Sequence, residues 1–78
     1  TAYPEDARQE GREADVKLKI LVSSVGLVSE VRIIRSAGSG FDEAARRLVR
    51  KFRFKPGTNG GQPVSVWIPW TYKFRLES

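Results

Sequence analysis

Val64-Ser65-Val66-Trp67-Ile68-Pro69-Trp70-Thr71-Tyr72-Lys73-Phe74-Arg75-Leu76 alternates without interruption. Val64, Val66, Ile68, Trp70, Tyr72, Phe74 and Leu76 share one face, and Ser65, Trp67, Pro69, Thr71, Lys73 and Arg75 the other. This period of two predicts a single strand over residues 64–76, long against the usual length of about five or six residues. Proline cannot donate to a ladder, so inside a sheet it is confined to edges, strand starts and bulges. Pro69 therefore predicts an edge strand. An apolar edge offers unpaired N–H and C=O groups that template another chain, and proteins usually blunt it. Two readings stay open: Pro69, Lys73 and Arg75 blunt a protected edge, which spacing alone favours, or the edge is kept free for a partner strand. Trp67 is isolated among polar neighbours, either as an exposed interface aromatic or packed against a loop. Trp70, on the apolar face, is expected in the core with its indole N–H at the periphery.

Working back from this strand, residues 56–63 combine two prolines, three glycines and an Asn and are expected as loop. Before them, Phe41, Ala44, Ala45, Leu48, Val49 and Phe52 recur at helical spacing and predict a helix with one apolar stripe. Ser39 and Asp42 resemble a capping box at its start, with Asp in place of the usual Glu. Val16, Leu18, Ile20 and Val22 alternate with Lys17 and Lys19, predicting a half-buried strand. Ser23-Ser24-Val25-Gly26 supplies a turn into a second alternating run, with Leu27, Val31 and Ile33 on one side and Glu30 and Arg32 on the other. These two runs predict an antiparallel hairpin. At the beginning, Pro4 suits a first helical position, Glu5 and Asp6 the positive end of a helix dipole, and Gly11 a helix stop, so residues 4–10 are expected as a short helix.

The predicted order is α-β-β-α-β: an α+β fold in which a three-stranded antiparallel sheet buries one face under both helices. With 78 residues the chain has room for one domain, residues 1–78. The absence of a starting Met suggests a piece of a longer protein. No apolar run approaches the roughly 20 residues that span a bilayer.

Fourteen Lys and Arg against nine Asp and Glu give a net charge of +5, a weak preference for acidic partners that names none. With no Cys and no His, thiolate nucleophiles, disulfides, thiolate or imidazole metal sites and imidazole catalysis are excluded by inventory. Asp42 and Glu43 are adjacent and diverge by about 100° on a helix. Ser23, Ser24 and Ser36 have no His to activate them. The glycines match no phosphate-binding spacing. No enzyme, cofactor or metal is expected. Arg46, Arg47, Arg50, Lys51, Arg53 and Lys55 form a basic cluster whose default reading is a solvated helix face. Nucleic-acid binding would require interleaved aromatics, and Phe52 and Phe54 read as core, so no nucleic acid is expected.

The chain resembles the C-terminal domain of TonB-family energy transducers. The resemblance rests on an ordered series: Tyr3-Pro4-Glu5-Asp6-Ala7-Arg8 with Gly11, the hairpin at Gly26-Leu27-Val28, Ser36-Ala37-Gly38, Phe41-Asp42-Glu43-Ala44-Ala45, Arg53-Phe54-Lys55-Pro56-Gly57 and Gly61-Gln62-Pro63-Val64. It implies a three-stranded sheet with two helices on one face. It also implies a periplasmic domain of an inner-membrane-anchored protein of a Gram-negative bacterium, driven through its N-terminal region by an ExbB/ExbD-type motor. Neither anchor nor linker is expected within this chain. The implied partner is an outer-membrane TonB-dependent transporter, whose TonB box adds as a strand along the final strand and receives force.

On that reading the partner-binding set is Val64, Val66, Trp67, Ile68, Trp70, Thr71, Tyr72, Lys73, Phe74 and Arg75. Backbone groups of Val66, Ile68 and residues 70–74 would supply hydrogen bonds, and Trp67, Lys73 and Arg75 selectivity. Departures from the family pattern are Ser23-Ser24-Val25-Gly26, where many members carry Asp before the Gly, and Pro69, which removes one ladder donor. The alternative is a structural or self-assembling envelope module, a TolA-like bridge or a motility-machinery domain, using the same edge for another partner or for a homodimer by strand exchange.

Overall fold

The computed structural model describes residues 3–76, without the side chain of Ser39. Its elements are α1 (Glu5–Gln9), β1 (Ala14–Val22), β2 (Val28–Arg35), α2 (Ser39–Val49), β3 (Gly57–Asn59), β4 (Gln62–Val64) and β5 (Val66–Phe74). β1, β2 and β5 form an antiparallel sheet in the order β2-β1-β5, and β3 and β4 form a separate two-stranded hairpin. The α+β fold with a three-stranded sheet and two helices is the one expected.

The core is the inward face of β1 pressed against the helices. Val16, Leu18, Ile20 and Val22 are buried together with Ala7 of α1 and Phe41, Ala44, Ala45 and Val49 of α2. Burying each such aliphatic side chain contributes about 1.5–3 kcal/mol. Ala44 and Ala45 carry little side chain, which lets the α2 backbone lie close to the sheet.

α1 is shorter than expected. Pro4 is its N-cap rather than its first helical residue. At the other end, Gly11 takes φ +70°. The Gly11 N–H donates to the Arg8 carbonyl at 3.2 Å and the Arg12 N–H to the Ala7 carbonyl at 2.8 Å, a Schellman closure. In the hairpin that follows, Gly26 has φ +85°, and a side chain there would run into the Phe54 carbonyl oxygen. Only glycine fits, because the Gly26 carbonyl also accepts the Phe54 N–H at 2.9 Å and brings that segment against the turn.

β2 departs from simple alternation. Leu21 pairs with Glu30 but Val22 with Val28, leaving Ser29 as an extra residue; Leu18 pairs with Ile33 but Lys17 with Arg35, leaving Ile34 extra. These two bulges change which side chains face in. Val28, not Leu27, packs on the core, and Leu27 is 41% exposed. Without the first bulge, Ser29 would occupy an inward position between Leu27 and Val31.

α2 begins one residue earlier than a Ser39 cap would place it. Gly38 is the N-cap, without a side-chain cap bond, and the Ser39 side chain lies outside the described residues. Asp42 instead anchors the preceding loop, accepting from the Ala37 N–H at 3.0 Å and from the Ser36 hydroxyl. The apolar stripe ends beyond the helix: Lys51 and Phe52 donate to the Leu48 and Val49 carbonyls in a tight closing turn that returns Phe52 to the core side.

Two expectations for the C-terminal third are corrected. Residues 56–63 are not all loop, because Gly57 pairs with Val64, Thr58 with Pro63 and Asn59 with Gln62. Gly60 and Gly61, at φ +58° and +81°, close this hairpin in the conformation a two-residue turn requires. The final strand is also not continuous over residues 64–76. Val64 belongs to β4, Ser65 interrupts, and β5 spans Val66–Phe74.

Candidate strand-addition edge

The sheet has two edges, β2 and β5. They differ in regularity. β2 carries both bulges, which blunt an edge, whereas β5 pairs with β1 over nine consecutive positions without a register shift. β5 is thus an edge, as Pro69 predicted, and the straighter of the two.

The direction of each β5 backbone group follows from β1, which is regular and central. The Ser23 N–H donates to the Leu27 carbonyl at 2.8 Å, and the Leu21 carbonyl accepts the Ser29 hydroxyl at 3.2 Å. Odd residues of β1 therefore turn their backbone groups to β2, and even residues turn theirs to β5. The Ala14 carbonyl agrees, accepting from Arg75 Nη1 at 3.2 Å on the β5 side. Lys19 pairs with Pro69, Lys17 with Thr71 and Leu21 with Trp67. These are the non-hydrogen-bonded pairs, so Trp67, Pro69, Thr71 and Lys73 face outward with their backbone groups. Three N–H donors and four carbonyls line the edge, with a gap at the Pro69 nitrogen. Val66, Ile68, Trp70, Tyr72 and Phe74, expected to supply outward bonds, direct theirs to β1 instead. Val64 pairs with Gly57 in the hairpin and does not extend the edge.

The helix-side face of β5 is aromatic. Tyr72 and Phe74 lie 4.8 Å apart, Phe74 packs 5.1 Å from Phe41 and 5.5 Å from Tyr3, and Phe52 lies 6.3 Å from Tyr72. Trp70 meets Phe52 and Phe54 edge-on at 5.6 and 5.4 Å. Edge-to-face contacts of this kind add about 0.5–1.5 kcal/mol each beyond area burial. Trp70 is not core: it is 37% exposed, leaving part of its ring open beside the edge. Every aromatic side chain of the protein except Trp67 belongs to this chain of rings.

Trp67 lies on the opposite, helix-free face and is 39% exposed. The Arg32 guanidinium sits 5.0 Å from its ring centroid while pairing with Glu30 at 2.9 Å, so a cation covers part of the ring. Thr71 and Lys73 are exposed beside it on the same face. Arg75 is committed within the chain: it pairs with Asp15 at 2.7 Å and donates to the Phe74 carbonyl at 3.0 Å. The Leu76 N–H donates to Glu13 at 2.8 Å, completing a clasp between the end of β5 and the start of β1. Ile34, 59% exposed on its bulge, borders a shallow hollow of about 280 Å³ with Pro69 and Thr71. Ile34 has the parity of Glu30 and Arg32, so alternation places it on this face, as an apolar residue on the polar side of β2.

The arrangement offers main-chain pairing and aromatic contact. Among the described residues, no cluster of three or more His, Cys, Asp or Glu is placed to hold a metal ion, and no helix is long and apolar enough to cross a membrane.

The Gram-negative bacterial TonB protein C-terminal family model matches residues 1–76. Protein TonB of Pseudomonas aeruginosa is 30% identical over 76 residues, covering 96% of this chain and 22% of that protein. Protein tonB2 of the same organism is 31% identical over 75 residues, covering 95% of this chain and 28% of that protein. The chain thus spans about a quarter of the length of these relatives. A solution NMR structure of the Pseudomonas aeruginosa TonB CTD superposes with a TM-score of 0.78 at 30% identity, covering 97% of this chain and 78% of that one. Family match, relatives and fold agree, and the chain belongs to the Gram-negative TonB C-terminal family.

Proposed function

We propose that this domain captures an extended segment of an outer-membrane transporter, of the TonB-box type, as an added strand on the outer edge of β5, and passes force to it. The observation that carries this reading is the free edge itself: Trp67, Thr71 and Lys73 present N–H and C=O groups on a strand that only β1 pairs with. Main-chain pairing supplies the affinity in such additions, and pockets for alternate side chains the selectivity. Because Pro69 leaves a gap, the principal ladder runs along Thr71 and Lys73, with a further contact at Trp67. Partner side chains on the helix side meet the open part of Trp70, and those on the other side meet Pro69, Thr71 and Lys73.

Force transmission fits the same geometry. An added strand loads β5 along its length, and the nine-position pairing with β1 spreads that load over the central strand. In the full-length protein, an inner-membrane anchor and an ExbB/ExbD-type motor would supply the pull from the periplasmic side. No catalytic step is part of this function.

Titrating a fluorescent TonB-box peptide into the domain and following anisotropy tests the reading. Saturable binding that an unlabelled copy competes away, and that Thr71→Pro weakens, is the expected result. Binding unaffected by Thr71→Pro would remove the edge from the account.

A further inference from the structure

The charge of this protein is not spread over its surface. Residues 46–55 hold six basic residues and no acidic one, and the remaining eight basic and nine acidic residues leave the rest of the chain at −1. None of the six cations engages a carboxylate among the described residues, although Arg8, Arg12, Arg32 and Arg75 all do. Cations in the last turn of α2 complement the helix dipole, which accounts for Arg46, Arg47 and Arg50. It does not account for Arg53 and Lys55. These lie past the helix in an extended segment, and both are exposed while Phe52 and Phe54 point inward.

That segment runs along the tip of the β1–β2 hairpin, where Leu27 bridges Arg53 and the Phe54 N–H bonds the Gly26 carbonyl. The tip carries Val25, 74% exposed, and Leu27, 41% exposed. Val25 is the most exposed of the large apolar side chains among the described residues. Its position needs no side chain of this kind, since the turn is closed by backbone bonds of Ser23, Gly26 and Leu27 and by the Ser23 hydroxyl. An apolar tip beside unpaired cations is the arrangement of a surface that enters the headgroup layer of a bilayer.

We propose that the β1–β2 tip and the cations of residues 50–55 dock this domain on an anionic lipid surface, Val25 and Leu27 entering the interface while Arg50, Lys51, Arg53 and Lys55 meet lipid phosphates. A basic strip without the apolar tip would equally suit an acidic protein. The outward valine favours lipid, because it gains nothing from a polar partner. The site shares no residue with the β5 edge and stands or falls independently of the peptide reading.

Co-sedimentation with vesicles of phosphatidylcholine containing phosphatidylglycerol, compared with pure phosphatidylcholine, tests the proposal. The domain partitions onto the anionic vesicles, and partition falls as salt rises. With each Lys or Arg worth about 1 kcal/mol at an anionic surface, the double variant Arg53→Gln, Lys55→Gln loses roughly 30-fold in partition coefficient. Val25→Ser, at a solvent-facing position, lowers it several-fold with an unchanged circular dichroism spectrum. Lys17→Gln with Lys19→Gln removes the same charge from the helix-free sheet face and leaves partition within about twofold of wild type. Failure to bind anionic vesicles, equal loss from the Lys17 and Lys19 variant, or indifference to Val25→Ser would each overturn the proposal, the last assigning the strip to an acidic protein or polymer.

Discussion

Lys19 stands opposite Pro69 across the β1–β5 pairing, and because Lys19 turns its backbone to β2, the missing N–H of the proline falls on the free edge rather than inside the sheet. The proline therefore costs the fold no hydrogen bond. It removes one bond from any strand that adds to β5. Pro69 limits self-pairing of a straight apolar edge while leaving Thr71 and Lys73 available.

Replacing Pro69 by Val restores that donor. Peptide affinity is expected to tighten by about 1 kcal/mol, roughly fivefold in Kd, measured by anisotropy titration. The same variant should self-associate more readily, seen as concentration-dependent sedimentation.

Proline scanning separates the two sides of the strand. Thr71→Pro removes an outward donor and is expected to leave the unfolding free energy within about 1 kcal/mol of wild type. Tyr72→Pro removes a donor aimed at β1 and the ring stacked on Phe52, and should cost at least ~2 kcal/mol. Urea unfolding of the two variants side by side reads the difference; a larger loss from Thr71→Pro than from Tyr72→Pro would mean that the backbone phase assigned to β5 is inverted.

At the hairpin turn, Gly26→Ala places a methyl group against the Phe54 carbonyl at a positive φ. The expected loss is at least ~2 kcal/mol in unfolding free energy, from strain and from separation of the Phe54 segment. Val25→Ser, one residue away and exposed, serves as the neutral comparison for stability.

Arg75 is expected to matter for the clasp and not for the partner. Its ion pair with Asp15 is about half exposed on both sides, so Arg75→Gln should cost no more than about 1 kcal/mol, and less at high salt. Peptide affinity should change less than about twofold; a larger loss would return Arg75 to the binding surface.

Much of this architecture is legible in the amino-acid sequence, for identifiable reasons. Period-two and helical patterns mark β1, α2 and the final strand because each buries one face, and Pro69 marks the edge because its missing donor admits few positions. The bulges at Ser29 and Ile34 leave no such trace: an inserted residue shifts the inward phase without altering composition, which is why Leu27 and Val28 exchange roles. The β3–β4 hairpin is short, polar and proline-bearing, so its strands lack alternation. Gly60-Gly61 is the turn signal that identifies it. Trp70 reads as core from its parity, yet its exposure is set by Phe52 and Phe54, which arrive from a segment whose path no local pattern encodes. Arg75 reads as a free charge until the fold brings Asp15 beside it, 60 positions away in the chain. At the edge, which donors face outward follows from backbone phase, which no residue pattern encodes and which two hydrogen bonds near the hairpin turn set.

The most direct test of strand addition is backbone amide hydrogen exchange, residue by residue, with and without a TonB-box peptide. The account predicts that the amides of Thr71 and Lys73, and to a lesser degree Trp67, exchange fast in the free domain and become protected in the complex. The amides of Val66, Ile68 and Tyr72, already bonded to β1, should be protected in both. Peptide binding that leaves Thr71 and Lys73 exchanging as fast as in the free domain would contradict it.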